Sequence, residues 1–289
     1  MSRTLVLDAA AVAEARRATP GTDRLAWPAP LLPAQTGSTN EDLVALGAQA
    51  PNLSLVATLD QVAGRGRLDR SWVAPPGACL AMSTLLRAPA TVAPDSLGWA
   101  TVLVALVASR TVDHLAGKRV AGVKWPNDLL VGGSKCAGIL ARLVPGAPGE
   151  GHTVVVGIGV NLDQSREELP VGTATSLALA GVKIGGNELL GTLWGQLGVV
   201  SDEWFAVGGS VTAPLASLGG ASVLEAAREA SSTLGNDVRV HLPGGHELVG
   251  VATDLDADGC LMVTDAAGEV HHVHAGDVVH LRRSDGGYA

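Results

Sequence analysis

The chain has 289 residues, of which 47% are hydrophobic and 17% charged, and its formal net charge is −8. This composition is that of a globular protein with room for one large domain or two smaller ones, and it excludes a disordered chain. The acidic balance argues against general nucleic-acid binding, so an anion site would need a local cluster of cations. Three cysteines without a CxxC pair indicate a reducing compartment and no metal framework.

The N-terminal region lacks the features of a signal peptide. Asp8 and Glu14 interrupt its apolar residues, and the longest apolar run of the chain, 102–108, is too short to cross a bilayer. We therefore expect a cytoplasmic protein that does not enter membranes. Residues 1–33 are predicted to form an N-terminal extension, a weak helix followed by a proline-rich approach, which is too short for a DNA-binding helical module.

A helix is predicted to begin near residue 38. Ser38, with Glu41 three positions later, has the form of a capping box, and Leu43 and Leu46 begin an apolar helical face. The free backbone N–H groups at a helix start can equally bind a polar ligand. Capping alone and ligand binding both remain open at this point.

The segment from Gln61 to Trp72 follows a short apolar run, 53–59, that is predicted to be a buried strand. Its glycines allow the backbone to approach a ligand closely, and arginine offers a planar fork of donors that matches carboxylate and phosphate oxygens. An exposed loop without a function would have a similar composition, so both interpretations stand. The residues concerned are Gly64, Arg65, Gly66, Arg67, Arg70 and Trp72.

The centre of the chain alternates strand-like and helical patterns. Asn127 and Asp128 lie at a bend after Pro126, between apolar runs. Lys135 opens a strongly apolar run, and a lysine there is commonly a solvated residue at a strand edge. The pattern predicts strands at 79–86, 123–131, 135–144 and 153–162, the last two as a hairpin, and a helix at 94–115.

Near residue 233 the sequence pattern changes from helical periodicity to short alternating runs. Helices are predicted at 187–207, with its tryptophans in the core, and at 223–230. Short alternating runs with turns then predict a small antiparallel barrel. The cluster of His271, His272 and His274 is interpreted as structural, because no carboxylate or cysteine pattern in the sequence supports a metal site.

Several motifs in order carry a family resemblance. Together they resemble the biotin protein ligases (biotin–[acetyl-CoA-carboxylase] ligases), in the short form without an N-terminal DNA-binding domain. The motifs are Gly37-Ser38-Thr39-Asn40, Gln61 with Gly64-Arg65-Gly66-Arg67, Arg70-Ser71-Trp72, Lys124-Trp125-Pro126-Asn127-Asp128, Lys135-Cys136-Ala137-Gly138-Ile139-Leu140 and Gly157-Ile158-Gly159-Val160-Asn161.

The resemblance implies an α+β fold in two parts. Residues 34–233 would form a catalytic domain related to class II aminoacyl-tRNA synthetases, with a mixed or antiparallel sheet and helices. Residues 234–283 would form an SH3-like barrel, followed by a tail at 284–289. One departure from the family is Cys79, where many relatives carry asparagine.

The resemblance also implies an activity. The chain would activate biotin with ATP to biotinyl-5′-AMP and transfer biotin to a lysine of the biotin carboxyl carrier domain of carboxylases. Mg²⁺ would assist, and no tightly bound prosthetic group is expected. The protein partner would be the carrier protein or domain, DNA binding is not expected, and homodimer formation is left open.

The same resemblance assigns residues to roles. Arg67 and Lys135 would be catalytic, and Asp128 would bind Mg²⁺. Biotin would be bound by Ser38, Thr39, Asn40, Gln61, Arg65, Gly66, Arg67, Lys135 and Gly138. ATP and the adenylate would be bound by Arg67, Arg70, Trp72, Asn127, Lys135 and Asn161.

Two alternative functions remain. A lipoate–protein ligase shares the acyl-adenylate chemistry but needs a pocket for a dithiolane ring. A single-stranded nucleic-acid-binding module could use the arginine loop and Trp72, although the acidic charge opposes it. A P-loop kinase is disfavoured because no Gly-Lys-Ser/Thr sequence follows the glycines.

Overall fold

The predicted helices and strands occur in the predicted order, but two short strands also form within residues 61–72, where the sequence analysis predicted none. The computed structural model describes residues 5–47, 50–67, 70–144, 151–242, 244–274 and 276–280; the expected tail at 284–289 lies outside them. The helices are α1 (Ala9–Arg17), α2 (Thr39–Leu46), α3 (Ala100–Ala116), α4 (Gly186–Ala206) and α5 (Val223–Ala230). The strands are β1 (Leu55–Thr58), β2 (Gly64–Arg65), β3 (Ser71–Trp72), β4 (Cys79–Ala88), β5 (Ala121–Lys124), β6 (Asp128–Val131), β7 (Ser134–Val144), β8 (His152–Asn161), β9 (Asp237–His241), β10 (Glu247–Leu255), β11 (Leu261–Thr264), β12 (Val270–Val273) and β13 (Asp277–His280).

The larger sheet has six strands in the order β1-β4-β8-β7-β6-β5. Each neighbouring pair is antiparallel, and β4 pairs with β8 from Cys79 opposite Asn161 to Ala88 opposite His152. Strands β7 and β8 form the predicted hairpin. The long central strands give the sheet a rigid middle, because both neighbours of β8 satisfy its backbone groups.

Helices α3 and α4 bury the sheet on one side. Trp194 and Trp204 of α4 are 1% and 0% exposed, which confirms that these tryptophans belong to the core. Helix α1 packs along α4, where a side chain at Gly191 would collide with the carbonyl of Val12. The N-terminal extension therefore forms part of the core packing instead of standing apart.

Two helices begin with a capping serine. The Ser38 side chain accepts from the backbone N–H of Glu41 at 3.5 Å, while the Glu41 carboxylate pairs with Arg142 at 2.8 Å. Helix α5 carries both halves of a capping box, between Ser222 and Glu225. The first serine caps its helix as predicted, but its Glu41 side chain serves a different contact.

The C-terminal residues form a five-stranded antiparallel sheet, in the order β12-β11-β10-β9-β13. Two indoles of the larger domain hold the turn between β10 and β11: Trp99 Nε1 donates to the Ala257 carbonyl at 2.8 Å, and Trp125 Nε1 to that of Gly259 at 3.0 Å. These bonds fix the small sheet against the large one. The predicted fold class, helices on an antiparallel sheet with a small β domain, is confirmed.

A helix that crosses a lipid bilayer has to be long and predominantly apolar. Among the described residues, no helix is both long enough and apolar enough for that.

Replacing Trp99 by Phe tests the contact between the two sheets. Loss of the N–H leaves the Ala257 carbonyl without its indole donor, so we expect the free energy of unfolding to fall by about 1–3 kcal/mol beyond the loss from the smaller ring. Trp204→Phe is the matched control, since Trp204 is equally buried but its Nε1 has no hydrogen-bond partner among the described residues. Urea denaturation followed by circular dichroism measures both; equal losses would contradict the prediction.

Candidate active site

A cavity of about 840 Å³ opens between the start of α2, the β2–β3 hairpin and one face of β6, β7 and β8. This volume lies in the usual range for small-molecule sites. All of the residues that the sequence analysis assigned to a ligand line it, although they come from distant parts of the chain. They are Ser38, Thr39, Asn40, Gln61, Arg65, Gly66, Arg67, Arg70, Trp72, Asn127, Asp128, Lys135, Gly138 and Asn161.

One end of the cavity is a network of neutral polar side chains. Gln61 Oε1 accepts from the backbone N–H of Thr39 at 2.9 Å, and the Thr39 hydroxyl lies 2.6 Å from that of Ser83. Ser83 donates to Asn40 Oδ1 at 2.7 Å, and Asn40 Nδ2 donates to the Leu140 carbonyl at 3.2 Å. These bonds fix the rotamers, so this wall suits a neutral ligand with several donors and acceptors.

Cations occupy the other part of the cavity. Lys135 Nζ lies 2.6 Å from Asp128 Oδ1, and its side chain is 36% exposed. Arg67 Nη1 donates to Asn127 Oδ1 at 3.3 Å, while Asn127 Nδ2 donates to the Ile139 carbonyl at 2.9 Å. Lys135 thus faces a cavity and an acidic partner, which favours a site residue over a solvated lysine at a strand edge.

The Trp72 indole lies on a strip of β7 and β8 that has no side chains. A Cβ at Gly138 would lie 2.9 Å from the indole, and one at Gly159 would overlap it. Trp72 Nε1 donates to Cys79 Sγ at 3.3 Å, and Lys135 Nζ lies 5.9 Å from the ring centroid. The two glycines let the ring lie against the backbone, which makes it the floor of the cationic part.

Cys79 is the residue that departs from the family pattern. Burial raises the pKa of the Cys79 thiol to about 12, and burial likewise raises that of Cys136 to about 12. Both groups are therefore protonated at neutral pH and are not nucleophiles. Cys79 acts instead as the acceptor that orients Trp72.

Asn161 lines the cavity but already has partners at both ends of its amide. Its Nδ2 donates to the Thr175 carbonyl at 3.0 Å, and its Oδ1 accepts from Gln164 at 2.8 Å. The side chain is 4% exposed. Its contact with a nucleotide stays a prediction, and the structure adds that it braces the wall of the cavity.

Ser83 and Asp277 are among the lining residues that were not anticipated from the sequence. Ser83 is a buried polar residue in the apolar strand β4, and this mismatch was a usable signal. Asp277 comes from the C-terminal sheet, lines the cavity and forms an ion pair with Arg70. Nothing in the sequence near Asp277 indicates that contact, because 207 positions separate the partners.

The charges around Lys124 show how closely the two domains approach. Burial lowers the pKa of the Lys124 ammonium; the Asp128 carboxylate raises it, Lys135 lowers it and Asp277 raises it. Acidic groups from both domains therefore act on the same cluster of cations.

The cavity contains oxygen ligands of the kind that Mg²⁺ prefers. Asp128 and Asn127 line the cavity, where Asp128 Oδ1 faces Lys135 and Asn127 Oδ1 accepts from Arg67, which leaves the second carboxylate oxygen of Asp128 for an ion. Mg²⁺ is commonly held by one or two carboxylates together with phosphate oxygens and waters. The residues present fit such an ion in the company of a phosphate ligand.

The histidines near the C-terminus lie outside the cavity, and each has a partner. His271 Nε2 lies 2.8 Å from Asp265 Oδ2, His272 Nδ1 lies 2.6 Å from Asp256 Oδ2, and His274 Nδ1 lies 3.0 Å from Cys260 Sγ. The sequence did not reveal these partners. Ligand atoms of His271, Asp265 and Glu269 do fall within 4.8 Å of one another, but Asp265 also braces its own turn through two backbone N–H groups.

Comparison with known proteins agrees with this geometry. Residues 32–161 match the biotin/lipoate A/B protein ligase family, and residues 233–281 match the biotin protein ligase C-terminal domain. A biotin–[acetyl-CoA-carboxylase] ligase of Mycobacterium tuberculosis is 35% identical over 253 residues, covering 86% of this chain and 88% of that protein. The chain belongs to the biotin protein ligase family. The resemblance read from its motifs is thereby confirmed.

Further relatives support the family assignment. A bifunctional ligase/repressor BirA of Bacillus spizizenii is 36% identical over 136 residues, covering 45% of this chain and 40% of that protein. A biotin protein ligase from Aquifex aeolicus, solved with biotin and ATP, superposes with a TM-score of 0.68 at 20% identity, covering 88% of this chain and 99% of that one. The second likeness shows that the fold is shared.

A substitution at Gly159 tests the floor of this ligase cavity. An alanine there should displace the Trp72 indole and break its bond to Cys79, at a cost of about 1–3 kcal/mol in stability and with a changed near-ultraviolet circular dichroism spectrum. Gly172→Ala is the control, because a Cβ at Gly172 meets no atom within 4 Å. In a Trp72→Ala background the penalty of Gly159→Ala should disappear; a penalty of the same size would show that the indole is not its cause.

Proposed function

We propose that the chain attaches biotin to a lysine of a biotin carboxyl carrier domain in two ATP-driven steps, both within the 840 Å³ cavity. One observation carries the proposal. In this member of the biotin protein ligase family, a single cavity contains both a fixed wall of neutral polar side chains and a cluster of cations. One part suits a polar, uncharged ring, and the other suits a carboxylate beside a polyphosphate.

The first step joins two anions. A carboxylate oxygen of biotin forms a bond to the α-phosphorus of ATP, the bond between the α- and β-phosphates breaks, and pyrophosphate leaves. In the second step the neutral amine of the carrier lysine attacks the carbonyl carbon. The bond from that carbon to the AMP oxygen breaks, AMP leaves, and the nitrogen loses a proton as the amide forms.

Arg67 and Lys135 would reduce the electrostatic repulsion between the two anionic reactants. A guanidinium and an ammonium in a partly enclosed cavity stabilise negative charge on both reactants and in the transition state. Asp128 holds the Lys135 ammonium, and Asn127 holds the Arg67 guanidinium. The cations are thus in place before the reactants arrive, and little reorganisation is needed during the reaction.

The polar wall is assigned to the ureido ring of biotin. Thr39, Asn40 and Gln61 hold fixed hydrogen-bonding positions there, with Ser83 joining them. A ring that left them unmatched would bury polar groups without partners, which is costly. The same wall disfavours the dithiolane of lipoate, the other acyl group that the family name covers. Ser38, Arg65, Gly66 and Gly138 complete the proposed biotin site.

The nucleotide is assigned to the cationic part. Arg70 and Trp72 would enclose the adenylate, with Asn127 and Asn161 beside it. Asp128 would hold Mg²⁺, which when bound neutralises charge on the phosphates of ATP. The partner in the second step is the carrier domain of a carboxylase, whose lysine must reach the mouth of the cavity.

Exchange of labelled pyrophosphate into ATP tests the proposal directly. We expect exchange that depends on biotin, because the first step is reversible and needs no carrier protein. Lipoate in place of biotin should support little or no exchange. Exchange that requires lipoate, or none with either acid, would overturn the assignment of the substrate.

Lys135→Ala tests the role of the ammonium. Removing one preorganised cation from the reacting charges should slow formation of biotinyl-5′-AMP by about 10²–10³-fold in a single turnover, while binding of the carrier protein is unchanged. Lys183→Ala provides the control, since Lys183 is exposed and lies outside the cavity. Wild-type rates of adenylate formation in Lys135→Ala would refute the catalytic role.

A further inference from the structure

The contact between Arg70 and Asp277 crosses from one domain to the other inside the cavity wall. Arg70 belongs to the turn of the β2–β3 hairpin, where its carbonyl accepts from the Gly66 N–H at 2.7 Å. Asp277 is the first residue of β13 and pairs in register with His241 of β9. Arg70, directly before β3, therefore meets a carboxylate that belongs to a strand of the C-terminal sheet.

Burial differs between the two partners. The Arg70 side chain is 64% exposed, and that of Asp277 is 25% exposed. An arginine this exposed samples many rotamers unless a partner restricts it, and a guanidinium with five N–H groups can bind one carboxylate and keep donors for a second ligand. Asp277 can therefore restrict the rotamers of Arg70 and still leave N–H donors of its guanidinium for a ligand.

Several hydrogen bonds hold the C-terminal sheet against the larger domain. Besides the bonds from Trp99 and Trp125, Arg228 donates to Asp254 at 2.8 Å and to the Leu255 carbonyl at 2.7 Å. These contacts lie on β10 and its following turn, and β13 is tied to β10 through β9. The position of Asp277 is thereby set by the packing of the two domains.

We infer that Asp277 is a positioning residue of the nucleotide site: it holds the Arg70 guanidinium in the cavity wall. The inference rests on the proposed function and extends it to a residue outside the catalytic domain. Asp277 itself need not touch the nucleotide.

The sign of the effect separates this role from simple electrostatics. A carboxylate near a polyphosphate repels it, so removal of that charge alone would lower the KM for ATP. If Asp277 acts by holding Arg70, its removal raises that KM instead. Because exposed ion pairs are weak, the expected rise is about three- to fivefold.

The experiment compares Asp277→Asn with wild type in biotin-dependent pyrophosphate exchange. We expect the KM for ATP to rise about three- to fivefold, with the KM for biotin unchanged and with Asp277→Glu close to wild type. Asp237→Asn, an exposed aspartate of the same sheet, is the control and should match wild type. An unchanged or lower KM for ATP in Asp277→Asn would overturn the inference.

A double-mutant cycle decides whether Arg70 mediates the effect. In the Arg70→Ala background, Asp277→Asn should cause no further rise in the KM for ATP. An equal rise in both backgrounds would overturn the role assigned to the pair. Wild-type exchange is measured in the same series: its absence would defeat the proposed ligase activity, whereas its presence with unaltered variants would defeat only the inference about Asp277.

Discussion

Electrostatic repulsion between the two anionic reactants is the constraint that explains the arrangement of charges in this structure. A carboxylate approaches a polyphosphate only where cations stand between them, and a chain with a net charge of −8 must concentrate its cations to achieve this. Lys135 comes from β7 and Arg67 from the segment after β2, so the sheet and the hairpin each supply one. Their acidic and amide partners hold them in the cavity, so that in the proposed mechanism the reactants need not order them.

The sheet provides a surface that a flat ring can cover. Strands β7 and β8 are the centre of the antiparallel sheet, where exposed side chains would normally alternate with buried ones. At Gly138 and Gly159 the inner row has no side chain, and the Trp72 indole occupies that space. The β2–β3 hairpin, which carries Trp72, is therefore packed on the two central strands of the sheet.

Local elements could be predicted from the sequence, but contacts between distant residues could not. The helix at 223–230 and the hairpin of β7 and β8 follow from periodicity and turn residues, and both are confirmed. Glu41 satisfies the spacing of a capping box yet pairs with Arg142, because tertiary contacts compete with local ones. That the site residues line one cavity could be predicted only from the family resemblance, because they come from distant parts of the sequence. Asp277 belongs to none of the motifs quoted for the family, so its place opposite Arg70 emerged from the folded chain alone.

Carboxylates also line the cavity that we propose binds two anions, and their cationic partners explain their presence. Asp128 lies against Lys135, and Asp277 pairs with Arg70, so each of these carboxylates holds a cation in place. A lone cation on a long side chain must lose rotamer entropy when the ligand binds, whereas one already held by an acid has lost it during folding. The acid reduces the net positive charge but improves its placement. Catalysis depends on charge at defined positions more than on its total, so the proposed mechanism favours paired cations over free ones.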